Sequence, residues 1–345
     1  MPEQPLHRIY DTALLDLDGV VYAGPQAIEH AVESLAEARE AGMRLAYVTN
    51  NASRTPKAVA AHLSELGVPA EPEDVITSAQ AAARVVAGKV PEGSKVLVIG
   101  GEGLVEAVRE RGLEPVRSLD DDPAAVVQGY DATVGWQQLA EASYAVAKGL
   151  PWVASNTDLT IPTARGTAPG NGTLVAAVRT ATGVEPEVAG KPLPPMHRET
   201  ILRTGAKHPL VVGDRLDTDI EGAFNGGVDS LLVFTGISRP EDLPEAPAKY
   251  RPTYLAADLR GLLRVQPELV AGDGGAYSCG GWTVTVADGA LSLGEARGED
   301  PYDGLRALCA AAWAAADADG TDGGGGANGG GTTPKWRDAL AALGL

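Results

Sequence analysis

The stretch Leu14-Leu15-Asp16-Leu17-Asp18-Gly19-Val20-Val21 sets two aspartates one residue apart at the end of an apolar run. Leu14, Leu15 and Leu17 have the character of the last residues of a buried strand, where an unpaired carboxylate is costly. Taken alone, D-x-D-G after a strand is more often a capped or solvated turn than a reactive pair. The surrounding chain decides between the two.

Working outward, Thr12 to Leu17 reads as a strand and Ala27 to Ala41 as a helix, with Ile28, Val32, Leu35 and Ala38 on one face. RLAYVT (44–49) reads as a second strand, Lys57 to Leu66 as a second helix, and DVITSA as the end of a third strand near Ser78. This βαβα rhythm predicts a Rossmann-like parallel sheet with helices on both faces. A further α/β unit follows, from about Gln80 to Gly183, with KVLVIGG (95–101), a helix over 104–111, AAVVQG, ATVGW, a helix over 141–149 and WVASN. The first rhythm then resumes with HPLVVGD (208–214), a helix over 219–224 and SLLVF (230–234). One α/β domain is thus expected to be interrupted by a second one.

The expected divisions are a core in two parts, 1–80 and 184–264, and an inserted domain over 81–183. A small α/β extension follows over 265–319, with a hairpin around Asp288-Gly289 and a helix in PYDGLRALCAAAWAAAD. A glycine-rich linker over 320–334 and a short helix over 335–345 close the chain.

The 345 residues leave room for roughly two domains of about 150 residues each. The 28 basic and 46 acidic residues give a formal net charge of -18, a field that repels nucleic acid and anionic membranes. Cys279 and Cys309 form no C-x-x-C, which excludes a disulfide framework or zinc ribbon and suits a reducing cytoplasm. The N-terminus shows no basic region followed by a long apolar stretch, and no run approaches the roughly 18 apolar residues of a membrane helix. A cytoplasmic location is expected.

Four polar clusters fall at the predicted C-terminal ends of core strands, where open parallel sheets place ligand sites. They are Asp16 with Asp18, TNNASR (49–54), Lys191 in AGKP, and Asp214 with Asp219 in VGDRLDTD. Together they have the chemistry of a phosphoryl-transfer site. A carboxylate on a strand tip can attack phosphorus in line, and a second one two residues on can protonate the leaving alcohol. An anionic nucleophile and an anionic ester need a hard cation between them. Oxygens from Asp16, the Asp18 carbonyl and Asp214 suit Mg²⁺. Lys191, the Thr49 hydroxyl and the Asn50 amide can donate to phosphoryl oxygens.

DLDGV, YVTNNASR, AGKP and GDRLDTDI, in that order, resemble the four motifs of the haloacid dehalogenase superfamily phosphatases. The insertion between the second and third resembles the C2-type cap of the 4-nitrophenylphosphatase branch. PGNGTLVAAVRTATGVEPEVAGKP (169–192) is similar to that branch's return from cap to core. The resemblance spans about residues 11–262. It implies Asp16 as nucleophile, Asp18 as acid/base, and Thr49, Asn50 and Lys191 around the phosphoryl group. It also implies Asp16, Asp18 and Asp214 around Mg²⁺, with Asp219 orienting them. An aspartate at position 18 fits ester hydrolysis; haloalkanoate dehalogenases lack it, and the D-K-T-G of transport ATPases is absent.

Within that branch the chain resembles the actinobacterial glycerol 3-phosphate phosphatases, and DPYDGLRALCAAAW is similar to their short acetyltransferase-like extension. The resemblance implies hydrolysis of glycerol 3-phosphate to glycerol and phosphate, with pairing of two copies through the cap. Phosphoglycolate, pyridoxal phosphate and nucleotide monophosphates stay open as substrates, although NTDLTIPTARGTAP (156–169) lacks the histidine that some vitamin B6 phosphatases use there. A catalytically silent regulatory protein is the reading from another class; retention of Asp16, Asp18, Lys191 and Asp214 argues against it. The extension contains no R/Q-x-x-G-x-G/A, so acetyl transfer is not expected of it.

Several features carry blander readings. VIGGEGL does not give G-x-G-x-x-G and reads as a tight strand-to-helix turn. Trp136 and Trp152 read as packing of the inserted domain, and Asp217 as a helix N-terminal charge.

Overall fold

The computed structural model describes residues 4–163, 165–287, 289–318 and 335–345. The predicted glycine-rich linker over 320–334 lies outside the described residues, as does Asp288 of the predicted hairpin turn. The chain forms two compact units, one of residues 1–23, 27–44 and 208–345, the other of 24–26 and 45–207. The expected α/β class holds in both.

In the first unit, four parallel strands run in the order Tyr254–Ala256, Asp229–Val233, Pro209–Gly213 and Thr12–Leu15. Leu15 pairs with Val212, and Val212 with Leu231. All four residues of Thr12–Leu15 are buried, as the continuous apolar run requires of a central parallel strand. The helix predicted from Ala27 begins at Ala31, because Gln26–Ala27 is a short strand and His30 stands at φ 66°. The predicted helix over 219–224 is a π-helical turn, Leu216–Ile220, running into Glu221–Gly226.

The C-terminal part of this unit is a four-stranded antiparallel sheet, in the order Val270–Ala271, Tyr277–Cys279, Trp282–Ala287 and Ala290–Leu293. The helix Pro301–Ala318 accompanies it. Its apolar side does not close on itself. Ile220, Leu232, Leu243 and Leu255 of the parallel-sheet part share one buried cluster with Trp282, Leu305, Leu308, Trp336 and Leu340. Cys279 and Cys309 are free thiols inside this cluster, and burial raises both above the ordinary thiol range.

The second unit contains a five-stranded parallel sheet, in the order Glu187–Val188, Trp152–Ala154, Ala125–Gln128, Lys95–Ile99 and Glu114–Val116. A second parallel pair joins Arg44–Thr49 to Val75–Thr77 through Tyr47 and Val75. VIGGEGL is the expected tight turn from the strand Lys95–Ile99 into the helix Glu102–Glu110, and a Cβ on Gly103 would stand 2.3 Å from the Arg54 carbonyl oxygen. Trp152 is buried in the apolar cluster, whereas Trp136 is 77 % exposed. The packing role expected for Trp136 is therefore wrong: it opens the helix Trp136–Ala147 on the solvent side.

Glu199, fully buried, is the polar hub of this unit. It pairs with Arg84, with Arg111 at 2.7 Å and with Arg203 at 2.5 Å. Burial by itself would raise its carboxyl, but the hydrogen bonds from Arg84 and Arg203 and the charge of Arg111 outweigh it and hold it below the usual carboxylate range. No helix of the described residues is long and apolar enough to cross a membrane.

Candidate active site

The strand Thr12–Leu15 ends where Asp16 donates its main-chain N–H to the Val212 carbonyl at 2.9 Å. The chain then turns tightly, with Val20, Val21 and Tyr22 all donating to the Leu17 carbonyl. Gly19 sits at φ 86°, and a Cβ there would lie 2.6 Å from Asp214 Oδ2. Glycine is therefore required twice over, by the left-handed backbone and by the close approach of the carboxylate. Asp16 is half-buried and Asp18 exposed.

Asp214 follows the neighbouring strand Pro209–Gly213 and is buried. Its Oδ2 accepts the Ile237 N–H at 2.7 Å, and its carbonyl accepts the Ser238 N–H at 3.0 Å. Asp219, on the π-helical turn, is also buried, and its Oδ2 accepts the Arg215 N–H at 3.2 Å. One carboxylate oxygen from each of Asp16, Asp214 and Asp219 lies within 4.8 Å of the others. Three carboxylates this close repel one another unless a cation or protons stand among them. An all-oxygen set with two buried members suits a hard divalent ion such as Mg²⁺. Asp217 points elsewhere and pairs with Arg215 at 2.8 and 3.0 Å.

In the second unit, Thr49 ends its strand buried, and its Oγ1 accepts the Asn51 N–H at 3.0 Å. Asn50 is a hub. Its Oδ1 accepts the Lys191 N–H at 2.8 Å, and its Nδ2 donates to the Lys191 carbonyl and to Asp158 Oδ2, each at 3.2 Å. Its carbonyl accepts Ser78 Oγ at 2.6 Å and Asn156 Nδ2 at 2.7 Å. Lys191 Nζ donates to the Val48 carbonyl at 3.1 Å. Gly190 packs so closely on this knot that a Cβ would stand 2.6 Å from Asn50 Oδ1.

The structure thus brings Asp16, Asp214 and Asp219 together in one unit, and Thr49, Asn50 and Lys191 together in the other. The Asn50 amide, expected to face a phosphoryl group, is engaged with Lys191 and Asp158. Asn156 shapes the turn that presents Asp158: its Oδ1 accepts the Asp158 N–H at 3.1 Å. The sequence reading did not single out Asn156 or Asp158. The available signal was a dense polar run, SNTD, directly after the apolar strand Trp152–Ala154.

Residues 13–114 match the haloacid dehalogenase-like hydrolases, residues 188–262 a second haloacid dehalogenase hydrolase-like family, and residues 279–345 a GCN5-related N-acetyltransferase-like domain. The chain is 47% identical over 323 residues to D-glycerol 3-phosphate phosphatase of Mycobacterium tuberculosis, covering 90% of this chain and 88% of that protein. It is 37% identical over 240 residues to the 5'-nucleotidase YutF of Bacillus subtilis, covering 69% and 92%. A crystal structure of glycerol phosphate phosphatase from Mycobacterium tuberculosis in complex with magnesium superposes with a TM-score of 0.81. It shares 45% identity, and the match covers 90% of this chain and 92% of that one.

Proposed function

The chain belongs to the haloacid dehalogenase-like hydrolases, and from that premise we propose that it is a Mg²⁺-dependent phosphatase acting on glycerol 3-phosphate. The observation that carries the chemistry is the carboxylate cluster of Asp16 and Asp214, at the ends of adjacent parallel strands, with Asp219 on the following π-helical turn. The substrate rests on likeness. The glycerol 3-phosphate phosphatase match covers 90% of the chain, extension included, whereas the nucleotidase match covers 69%.

In this reading an Asp16 carboxylate oxygen attacks phosphorus. The bond from phosphorus to the ester oxygen breaks, and Asp18 gives its proton to the departing glycerol alkoxide. Water then attacks the aspartyl phosphate. Asp18 takes the proton from that water, and Asp16 and inorganic phosphate are released. Thr49 and Lys191 hold the phosphoryl oxygens, and Asn50 contributes by fixing the Lys191 main chain. Asp16, Asp214 and the Asp18 carbonyl hold the ion, while Asp219 orients them. The bound ion supplies charge neutralisation between carboxylate and phosphate.

The same reading places the enzyme in the cytoplasm and pairs two copies through the inserted domain. Trp136 and Tyr144, 77 % and 53 % exposed on the helix Trp136–Ala147, support that pairing. Light scattering of the wild type and of Trp136→Ser tests it: a dimer that falls to monomer is expected, and a monomeric wild type refutes it.

The deciding experiment is phosphate release with Mg²⁺ from glycerol 3-phosphate, phosphoglycolate, pyridoxal phosphate and nucleotide monophosphates. The highest kcat/KM on glycerol 3-phosphate is expected. A clear preference for another ester refutes the substrate but leaves the chemistry. Silence on every ester refutes both.

A further inference from the structure

The five residues that follow the strand Asp229–Val233 contact Asp214 and the turns that carry Asp16 and Asp219. Thr235 Oγ1 donates to the Gly19 carbonyl at 2.5 Å, in the turn that carries Asp16 and Asp18. Gly236 lies against the Asp214 carboxylate, the Ile237 N–H donates to Asp214 Oδ2, and the Ser238 N–H donates to the Asp214 carbonyl. Ser238 Oγ accepts the Leu216 N–H at 3.2 Å, at the start of the turn that carries Asp219. The loop therefore braces the Asp214 carboxylate directly, and the turns that carry Asp16 and Asp219 at the Gly19 carbonyl and the Leu216 N–H.

The first residue of the loop, Phe234, is held from two sides. Its N–H is shared between the Ala256 and Ala257 carbonyls at 3.3 and 3.2 Å. Its ring stacks on Tyr302 of the C-terminal extension, with centroids 5.2 Å apart and planes 21° from parallel. Tyr302 is itself fixed. Its N–H donates to Asp300 Oδ1 at 2.9 Å, the Asp300 carbonyl accepts Trp282 Nε1 at 2.7 Å, and the Asp300 carboxylate pairs with Arg264. Tyr302 also borders a cavity of about 330 Å³ lined by Ala256, Ala257, Gly261 and Arg264. Removing the ring would enlarge that space and leave Phe234 without its stacked face.

We propose that Tyr302 is a positioning residue for the metal centre, acting through Phe234 and the loop 234–238 on Asp214. The extension thereby tunes how tightly the centre holds its cation. This rests on the reading that Asp16, Asp214 and Asp219 hold Mg²⁺.

The test is calorimetric titration of Mg²⁺ alone into full-length wild type, Tyr302→Ala, Tyr302→Phe and Trp313→Ala, without substrate. Trp313 lies further along the same helix, where its Nε1 donates to the Leu243 carbonyl at 2.9 Å, and serves as a control for general loosening. We expect at least a fivefold weaker Kd in Tyr302→Ala, with Tyr302→Phe and Trp313→Ala within twofold of wild type. Should Tyr302→Ala fail to fold, Tyr302→Leu fills the volume without the planar face and is expected to weaken binding similarly. Equal Kd in wild type and the Tyr302 variants overturns the proposal, as does an equal loss in Trp313→Ala. No Mg²⁺ binding by wild type removes the metal reading itself, and the proposal falls with it.

Discussion

Asn50 grips Lys191 by both polar groups of its main chain: Asn50 Oδ1 accepts the Lys191 N–H at 2.8 Å, and Asn50 Nδ2 donates to the Lys191 carbonyl at 3.2 Å. A side-chain amide does here what a neighbouring strand does in a sheet, joining segments 141 positions apart in the chain. Asn50→Ala leaves both main-chain groups without that partner, at a cost of about 1–3 kcal/mol. We expect a thermal melt lowered accordingly and a kcat down at least tenfold. Wild-type turnover in this variant would show that the clamp is dispensable.

Asp16→Asn removes the proposed nucleophile with almost no change in volume. Turnover is expected to fall by about 10⁴-fold or more, by phosphate release. Without divalent ion its melting temperature should rise above that of wild type, because one of three mutually repelling carboxylates becomes neutral. A variant that keeps wild-type turnover refutes the assigned mechanism.

Gly236→Ala would place a Cβ 1.9 Å from Asp214 Oδ2, a distance no packing tolerates. Either the loop or the carboxylate must move. We expect Mg²⁺ affinity to drop at least tenfold by calorimetry, with the circular dichroism spectrum retained. Unchanged affinity would mean that Asp214 does not set the ion site.

Glu199 makes a pH prediction whose sign is fixed by its arginines. Its folded carboxyl sits below the usual range, so its stabilisation is present above the unfolded value of about 4.3 and disappears as pH falls through the lower folded value. Glu199→Gln should cost about 3 kcal/mol between pH 6 and 8, since it leaves three guanidinium groups around a neutral side chain. Denaturant melts of the two proteins should begin to converge as pH falls below about 4.3 and meet only below the lower folded value. A gap that persists undiminished at low pH would show that packing rather than charge is responsible.

The strands bearing the catalytic candidates were legible because each is an apolar run closed by polar or small residues, as in LLDLD and PLVVGD. The cluster of Asp16 and Asp214 was legible for the same reason, since parallel neighbours end at the same edge of a sheet. Asp219 was expected to orient the groups around the ion, and its carboxylate stands within 4.8 Å of those of Asp16 and Asp214, carried by a π-helical turn that the sequence reading took for a regular helix. The hairpin Thr160–Thr163 and Gly166–Pro169 left no periodic trace: it is short and exposed, and carries Pro162 and Pro169. The double use of the Asn50 amide was illegible in principle, because its partners lie 108 and 141 positions away.

The apolar cluster that joins Leu232, Leu243 and Leu255 to Trp282, Leu308 and Leu340 has a genetic consequence. A chain cut at residue 264 would carry its parallel sheet intact but turn those three leucines toward water. A premature stop codon at that point of the coding sequence is therefore expected to behave as a loss of the whole enzyme and not as a shorter, working one.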